Sequence, residues 1–183
     1  MANAFRESFS RSLLVGILIA SAPATIGHAA NTVVGWGNTA VPSGLDNVVA
    51  IAAGAGFSLT LTAEGTVVAW GLNDRGQTNI PPGLIDVVAI AAGEQHCLAL
   101  VADGTVVGWG WNQYGQATVP NGLSNVVAIA GGRSHSLALT ADGHVVGWGS
   151  NLEGETTIPN GVSKIVAVAS GGFHNLALTA EGQ

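Results

Sequence analysis

Apolar residues recur along the chain in short runs that are separated by glycine-rich turns. Four runs share one pattern, and each begins 39 residues after the last: VVAIAAGAGFSLTL at Val48, VVAIAAGEQHCLAL at Val87, VVAIAGGRSHSLAL at Val126 and IVAVASGGFHNLAL at Ile165. The runs are rich in β-branched and aliphatic residues, and no segment shows the 3.6-residue period of an amphipathic helix. The pattern therefore predicts an all-β chain built from a repeated group of strands.

Within each unit the second apolar run is followed by a turn and a third strand. Ala-Glu-Gly or Ala-Asp-Gly comes after SLTLT or SLALT, and TVVAWG or TVVGWG comes next. Such acidic-Gly pairs, at residues 64–65, 103–104, 142–143 and 181–182, predict tight hairpins in which both central residues have positive φ. Trp70, Trp109 and Trp148 also keep the 39-residue step, whereas Trp36 precedes Trp70 by 34 residues. Each unit is thus predicted to be a small antiparallel sheet.

One small sheet cannot bury both of its faces, but sheets stacked around an axis can. This arrangement predicts a β-propeller-type repeat protein with about four blades of three to four antiparallel strands. The units cover about residues 33–65, 66–104, 105–143 and 144–183, within a repeat domain of residues 31–183. The tryptophans and the Val-Ile-Leu ladders are expected to fill the space between blades.

The two ends of the repeat domain predict a partial or open ring. The last unit reads LALTAEGQ, where other units continue with VVAWG, and the first begins with NTVVGWG. The N-terminal strand would complete the last blade if four units closed on themselves. Alternatively, an open arc forms a homodimer, or the units are part of a longer protein.

The motif VVAWG-x-N-x-x-G-Q, followed by P-x-G-L, VVAIAAG and HSLAL, resembles the regulator of chromosome condensation repeat. The compact 39-residue form is more similar still to bacterial secreted members, of which β-lactamase inhibitor protein II is one. The resemblance covers about residues 31–183 and implies a seven-bladed propeller. This chain has material for only four units.

Residues 1–30 differ from the rest and predict an export signal peptide. Arg6 and Arg11 precede the apolar run Leu13–Ala22, and small residues follow it, with cleavage expected after Ala29 or Ala30. The alternative is a membrane anchor, but the run is shorter than the roughly 18 to 20 residues that a span needs. We therefore expect a protein that is secreted, periplasmic or at the cell surface, with no membrane span in the mature chain.

Composition and charge narrow the class of partner. The chain is 48% hydrophobic and only 9% charged, with 27 glycines. Without residues 1–30, three basic residues face ten acidic ones, a net charge of −7. Nucleic-acid binding needs clustered Lys and Arg, so it is not expected. A single cysteine, Cys97, excludes an internal disulfide.

His96 and Cys97 stand together, with Asp103 nearby, and this grouping invites a catalytic or metal-binding interpretation. The repeat argues against both. Cys97 is replaced by Ser58, Ser136 and Asn175 in the other units, and a nucleophile would not be interchangeable with them. His96 matches His135, His174 and Phe57, positions that a propeller spaces around its axis. We therefore expect no enzyme activity, cofactor or metal site, with Cys97 a small buried residue, Asp103 part of a turn, and each histidine tying a loop to backbone.

Protein binding through loops on one face is the expected function. In a simple meander the G-x-x-H loop and the residues after W-G emerge together, and the Asp-Gly turns lie on the other side. The candidate binding residues are Trp111, Tyr114, Phe57, Phe173, Glu94, Gln95 and Arg133. The first two lie outside the repeat pattern and are common interface anchors. The partner is an unidentified protein; the alternatives are a structural segment of a larger surface protein and a β-lactamase-inhibitor-like protein.

Overall fold

The computed structural model describes residues 31–37 and 40–180, and these are all-β, as predicted. The strands are β1 (Val48–Ala53), β2 (Phe57–Thr62), β3 (Val67–Gly71), β4 (Val87–Ala92), β5 (His96–Val101), β6 (Val106–Gly110), β7 (Val126–Gly131), β8 (His135–Thr140), β9 (Val145–Gly149), β10 (Ile165–Ser170) and β11 (Asn175–Thr179). None of the described residues forms a helix of the length and apolarity that a bilayer crossing needs. The predicted export signal, residues 1–30, lies outside the described residues.

The strands form four separate sheets, which we call blades 1 to 4. Blades 1, 2 and 3 have the orders β1-β2-β3, β4-β5-β6 and β7-β8-β9, and blade 4 has β10-β11. All paired strands are antiparallel, and the middle strands are in the same register, so that Cys97 faces Trp109 and Ser136 faces Trp148. The first strand of every blade carries a register shift near its start, as at Val48/Ala50. Such an irregularity bends the strand and increases its twist.

The hairpins after β2, β5 and β8 differ from the prediction. Only the glycine has positive φ, as at Gly65 (77°) and Gly104 (82°), and the preceding acidic residue does not. The Thr62 N–H donates to the Thr66 carbonyl (2.9 Å), and the Gly65 N–H donates to the Thr62 carbonyl (3.0 Å). This is a three-residue loop with a bulge, which needs one left-handed residue instead of two. The prediction of two positive φ values was therefore wrong.

The hydrophobic core lies between blades. Along β5, Cys97 and Ala99 pack into a cluster with blade 1, while Leu98 and Leu100 pack into a cluster with blade 3. All four side chains are almost fully buried. Because successive residues of a strand point to opposite faces, the middle strand presents small residues to one neighbour and leucines to the next. The blades thus bury each other's faces, as the repeat predicted.

The ring is not closed. In blade 4, Leu176 and Leu178 are 67% and 60% exposed, whereas the equivalent Leu98 is fully buried. Residues 32–37, which carry the sequence TVVGWG, form no strand. Among the described residues β11 pairs only with β10, so the N-terminal strand does not complete the last blade of its own chain. The expectation of a partial or open ring is confirmed.

A glycine substitution tests how tightly the blades are packed. An alanine Cβ at Gly132 would lie 2.1 Å from Cε1 of the buried His135 ring, whereas one at Gly172 would meet nothing within 4 Å. Neither glycine has positive φ. We expect Gly132→Ala to lower the free energy of unfolding by about 1–3 kcal/mol through overpacking, and the matched Gly172→Ala to change it little. Urea denaturation of both variants measures this, and equal effects would contradict the packing described.

Candidate protein-binding face

The connections between the first and second strands form a continuous row, which we call the inner loops (residues 54–56, 93–95, 132–134 and 171–173). Backbone hydrogen bonds join each loop to the next. The Ala55 N–H donates to the Glu94 carbonyl (2.8 Å), the Glu94 N–H to the Gly132 carbonyl (3.1 Å), and the Arg133 N–H to the Gly172 carbonyl (3.3 Å). The inner loops of four blades therefore make one connected surface.

The residues that follow W-G lie beside the inner loops. The Trp111 N–H donates to the Gln95 carbonyl (2.9 Å), and the Ser150 N–H donates to the Ser134 carbonyl (2.8 Å). These bonds bring the variable residues of both segments to one face of the arc, the arrangement expected of a meander. We call this combined surface the loop face.

Arg133 joins candidate residues from three blades on the loop face. Its Nε lies 2.7 Å from Oε2 of Glu94, and its guanidinium carbon lies 5.1 Å from the centre of the Phe173 ring. Phe173 is 52% exposed, and about half of the Arg133 side chain is exposed. An ion pair and a cation–π contact at such exposure each contribute at most about 1 kcal/mol. The contacts therefore orient the three side chains more than they stabilise the fold.

Trp111 and Tyr114 form an aromatic pair on the same face. Their ring centroids are 5.5 Å apart and their planes are at 87°, an edge-to-face arrangement. Tyr114 is 44% exposed, and Trp111 is half-buried. The Tyr114 N–H donates to Oε1 of Gln116 (2.9 Å), and the Ala117 N–H donates to Oδ1 of Asn112 (2.9 Å). Buried and local side chains thus hold the loop that presents both rings.

The glutamine of the N-x-x-G-Q motif fixes this loop to the core, a role that the repeat pattern did not predict. Gln116 is fully buried, and its backbone carbonyl accepts hydrogen bonds from Nε1 of Trp148 (2.9 Å) and Oγ of Ser136 (2.8 Å). The backbone carbonyl of Gln77 accepts the equivalent bonds from Nε1 of Trp109 (3.0 Å) and Sγ of Cys97 (3.2 Å). The signal was the 39-residue repetition of a glutamine, an unusual residue to keep at a buried position.

Phe57 does not belong to the loop face. It is only 3% exposed and lies in the core cluster that contains Cys97. Its ring stands over Gly54, as the His96 ring stands over Gly93. The prediction that Phe57 contacts a partner was therefore wrong, since a residue that replaces a buried histidine is itself buried. Gln95 is half-buried at the edge of the loop face.

The two central histidines link adjacent blades. His96 and His135 are fully buried; Nε2 of His96 lies 2.9 Å from Oγ of Ser136, and Nε2 of His135 lies 2.7 Å from Oδ1 of Asn175. Because Ser136 Oγ donates its proton to the Gln116 carbonyl, His96 Nε2 must be the donor in the first pair. The expected bond to backbone was wrong: each ring contacts a side chain of the next blade.

The buried environment keeps the His96 ring neutral and the Cys97 thiol protonated at neutral pH. Burial, with a smaller contribution from the nearby His135, lowers the pKa of His96 to about 4. Among the described residues, Nδ1 of His96 has no hydrogen-bond partner, so a proton there would be unpaired. Burial also raises the pKa of the Cys97 thiol, which keeps it protonated. The described residues contain no group of three or more metal-ligating side chains that could hold an ion.

Comparison with known proteins supports the repeat assignment. Residues 48–77, 87–116 and 126–155 match the regulator of chromosome condensation (RCC1) repeat. These segments are blades 1 to 3, each with the loop that follows it, N-x-x-G-Q after blades 1 and 2 and N-x-x-G-E after blade 3. The resemblance to this repeat, inferred from the sequence, is confirmed. No curated protein sequence matches the chain.

Several solved structures share the fold. Prp20p from Saccharomyces cerevisiae is 29% identical with a TM-score of 0.66, and the match covers 78% of this chain and 45% of that one. The ectodomain of the Physcomitrella patens receptor kinase CR4 is 27% identical (TM-score 0.65; 78% and 41% covered), as is human WBSCR16 (TM-score 0.62; 74% and 46% covered). The chain thus matches less than half the length of each of these propeller structures.

The lowered pKa of His96 predicts that part of the folding stability is lost at acidic pH. Its value of about 4 in the folded state lies below the unfolded value near 6.5, so the unfolded state binds more protons between these limits. Stability is therefore lost as the pH falls through this window, by about 3 kcal/mol for a fully buried histidine. His96→Phe, which copies Phe57, should reduce the loss, as measured by urea denaturation between pH 7 and pH 4.5.

A substitution at the exposed His144 is the control for the pH-dependent urea denaturation of His96→Phe. His144→Thr installs the residue found at the equivalent Thr66 and Thr105, and it should leave the acid-induced loss nearly unchanged. Identical pH dependence in the unmodified chain and in His96→Phe would contradict the assigned role of the buried ring.

Proposed function

We propose that the chain is a secreted, non-catalytic propeller module that binds a protein partner through the loop face. The observation that carries this proposal is the connected surface on which Arg133 joins Glu94 to Phe173. The Trp111–Tyr114 pair lies on the same surface, since Trp111 bonds to Gln95, the neighbour of Glu94. Protein interfaces favour such a set: aromatic and arginine side chains held on a rigid scaffold.

The architecture suits binding because one scaffold holds different loops. The buried Gln, Trp and Leu positions repeat from blade to blade, whereas the inner-loop residues change from Glu94-Gln95 to Arg133-Ser134 to Gly172-Phe173. The structurally similar Prp20p is described by its binding properties to Gsp1p and histones. We extend protein binding, but neither of those partners, to this chain.

Secretion is supported by the sequence of residues 1–30 and by one of the structurally similar proteins. One of the similar structures is the ectodomain of a plant receptor kinase, and the match covers 41% of it. The compact 39-residue repeat also resembles bacterial secreted members of the family. The intact mass of the exported chain tests the proposal, because cleavage after Ala29 or Ala30 removes Arg6 and Arg11 along with the apolar run.

A structural role within a larger surface protein is the second candidate function. It is favoured by the exposed leucines of blade 4 and by the match to less than half of each similar structure. In that case the blade faces, and not the loop face, would make the essential contacts. Substitutions on the loop face separate the two candidates.

The aromatic pair provides the direct test of the loop face. We expect Trp111→Ala and Tyr114→Ala to leave the far-ultraviolet circular dichroism and the melting temperature nearly unchanged, since Tyr114 is exposed and Trp111 half-buried. Each should weaken partner binding at least about tenfold, as expected for an interface anchor. The measurement compares proteins captured from the extracellular fraction by the immobilised unmodified chain and by each variant, followed by titration of the captured protein.

His144→Thr serves as the control, because His144 lies in an acidic-Gly turn away from the inner loops. It should retain full binding. Capture that is equal for the unmodified chain and both aromatic variants would contradict the proposal. Inhibition of a β-lactamase that is lost in the same variants would instead identify the partner class as that enzyme.

A further inference from the structure

Each connection into a blade contains the same turn, with the sequence P-x-G-L or P-x-G-V. Its glycine has a φ of 77° to 82° in all four copies, and the residue before the glycine has a negative φ. In the third copy the Leu123 N–H donates to the Pro120 carbonyl (3.2 Å). These features define a type II turn. The four turns differ at the residue before the glycine, which is Ser43, Pro82, Asn121 or Asn160.

Asn121 and Asn160 form the two Asn-Gly pairs of the sequence. Both pairs are exposed, and a Cβ built on Gly122 or Gly161 would meet nothing within 4 Å. Among the described residues, neither asparagine side chain and neither glycine N–H has a hydrogen-bond partner. The amide carbon of each asparagine and the backbone nitrogen after it are therefore both accessible to solvent and unbound.

The other described asparagines lack this combination. Both polar atoms of the Asn112 side chain are hydrogen-bonded within its loop, and those of Asn151 are bonded in the same way. The Asn125 side chain has no partner in the described part of the chain, but the next nitrogen belongs to Val126, whose N–H donates to the Gly104 carbonyl (3.1 Å). The β-branched Val126 also crowds that nitrogen. The fold thus restrains either the amide or the nitrogen at these positions.

The Asp-Gly hairpin turns are restrained as well. Oδ1 of Asp103 accepts hydrogen bonds from the hydroxyl (2.7 Å) and the N–H (2.9 Å) of Thr105, and these bonds lower the pKa of Asp103. The carboxyl group is therefore ionised at neutral pH, and a carboxylate resists attack by a nucleophile. The Gly104 N–H also donates to the Val101 carbonyl (2.9 Å). Among the described residues, an uncharged amide followed by a free glycine nitrogen occurs only in the two Asn-Gly turns.

We propose that Asn121 and Asn160 are sites of spontaneous deamidation. The backbone nitrogen of Gly122 attacks Cγ of Asn121: a nitrogen–carbon bond forms, the Cγ–Nδ2 bond breaks, and the proton of the glycine N–H leaves with Nδ2 as ammonia. The product is a five-membered succinimide. Water then opens the ring. Cleavage at Cγ gives aspartate, and cleavage at the backbone carbonyl carbon gives isoaspartate, in which the main chain runs through Cγ. Gly161 and Asn160 react in the same way.

The turn has to open before this attack. A ψ of about +120° at the second residue of a type II turn points the next nitrogen away from the side chain. An exposed turn held by one backbone hydrogen bond, as at Pro120–Leu123, opens locally at little cost in free energy. Hydroxide favours removal of the glycine proton, so the reaction accelerates as the pH rises.

Isoaspartate at residue 121 changes a junction between blades. Val119 and Leu123, on either side of the turn, pack against the core cluster that contains Leu98 and Trp148. An extra main-chain carbon between them alters the spacing that this packing requires, so the isoaspartate form should melt at a lower temperature. Aspartate adds a negative charge at an exposed site without lengthening the main chain, and it should leave the melting temperature nearly unchanged.

The experiment incubates the purified, exported chain at mildly alkaline pH and follows each site by mass spectrometry. Trypsin separates the sites, because it leaves Asn121 in residues 76–133 and Asn160 in residues 134–164. Each peptide should gain about 1 Da at its Asn-Gly pair, since a hydroxyl group replaces an amino group. Protein isoaspartate methyltransferase should methylate both peptides. The other asparagines of these peptides are the internal controls and should remain amides.

Two variants complete the test. Asn121→Ser copies Ser43 of the equivalent turn, and it should abolish the mass gain of residues 76–133 while leaving that of residues 134–164 unchanged. Asn121→Asp carries the new charge on a normal main chain, and it should melt as the unmodified chain does. No gain at either Asn-Gly pair, a gain at only one of them, or a gain only in urea-unfolded chain would overturn the proposal. An equal gain at the hydrogen-bonded asparagines would overturn it as well, because the fold would then not select the sites.

Discussion

The packing of one blade's middle strand against the next blade is the interaction on which the rest of the structure depends. A three-stranded sheet of β5 and its neighbours has two apolar faces, and it becomes stable only when both are covered. Cys97 and Ala99 cover one side and Leu98 and Leu100 the other. The alternation of small and large residues lets neighbouring blades approach closely on one side and interlock on the other.

The same junctions determine where the loops lie. The backbone carbonyl of each buried glutamine accepts hydrogen bonds from an indole N–H and from a hydroxyl or thiol of the following blade. Each buried histidine forms a hydrogen bond with a side chain of the blade after its own. These polar links are costly to leave unmade, so they fix the position of one blade relative to the next. The loop face is consequently held by the core, while its exposed residues are free to differ between blades.

The sequence predicts the repeated scaffold well because period-two apolar runs and registered tryptophans are local signals. It predicts the partners of individual side chains less well. The pattern places Phe57 at the surface, but Phe57 is buried, since its environment depends on the slot over Gly54 rather than on its neighbours in sequence. The pattern also predicts that the histidines bond to backbone, whereas the acceptor for His96 is the side chain of Ser136, 40 residues away. The Arg133–Phe173 contact likewise appears only when two blades are placed side by side.

Calorimetry tests most directly whether the blades stabilise one another. The exported chain would be heated in a scanning calorimeter, and the transition would be fitted with the association state measured on the same sample by light scattering. Mutual stabilisation predicts one transition whose calorimetric enthalpy equals its van't Hoff enthalpy. Four blades that unfold independently would give a calorimetric enthalpy about four times the van't Hoff value, and that result would contradict the dependence of each blade on its neighbours.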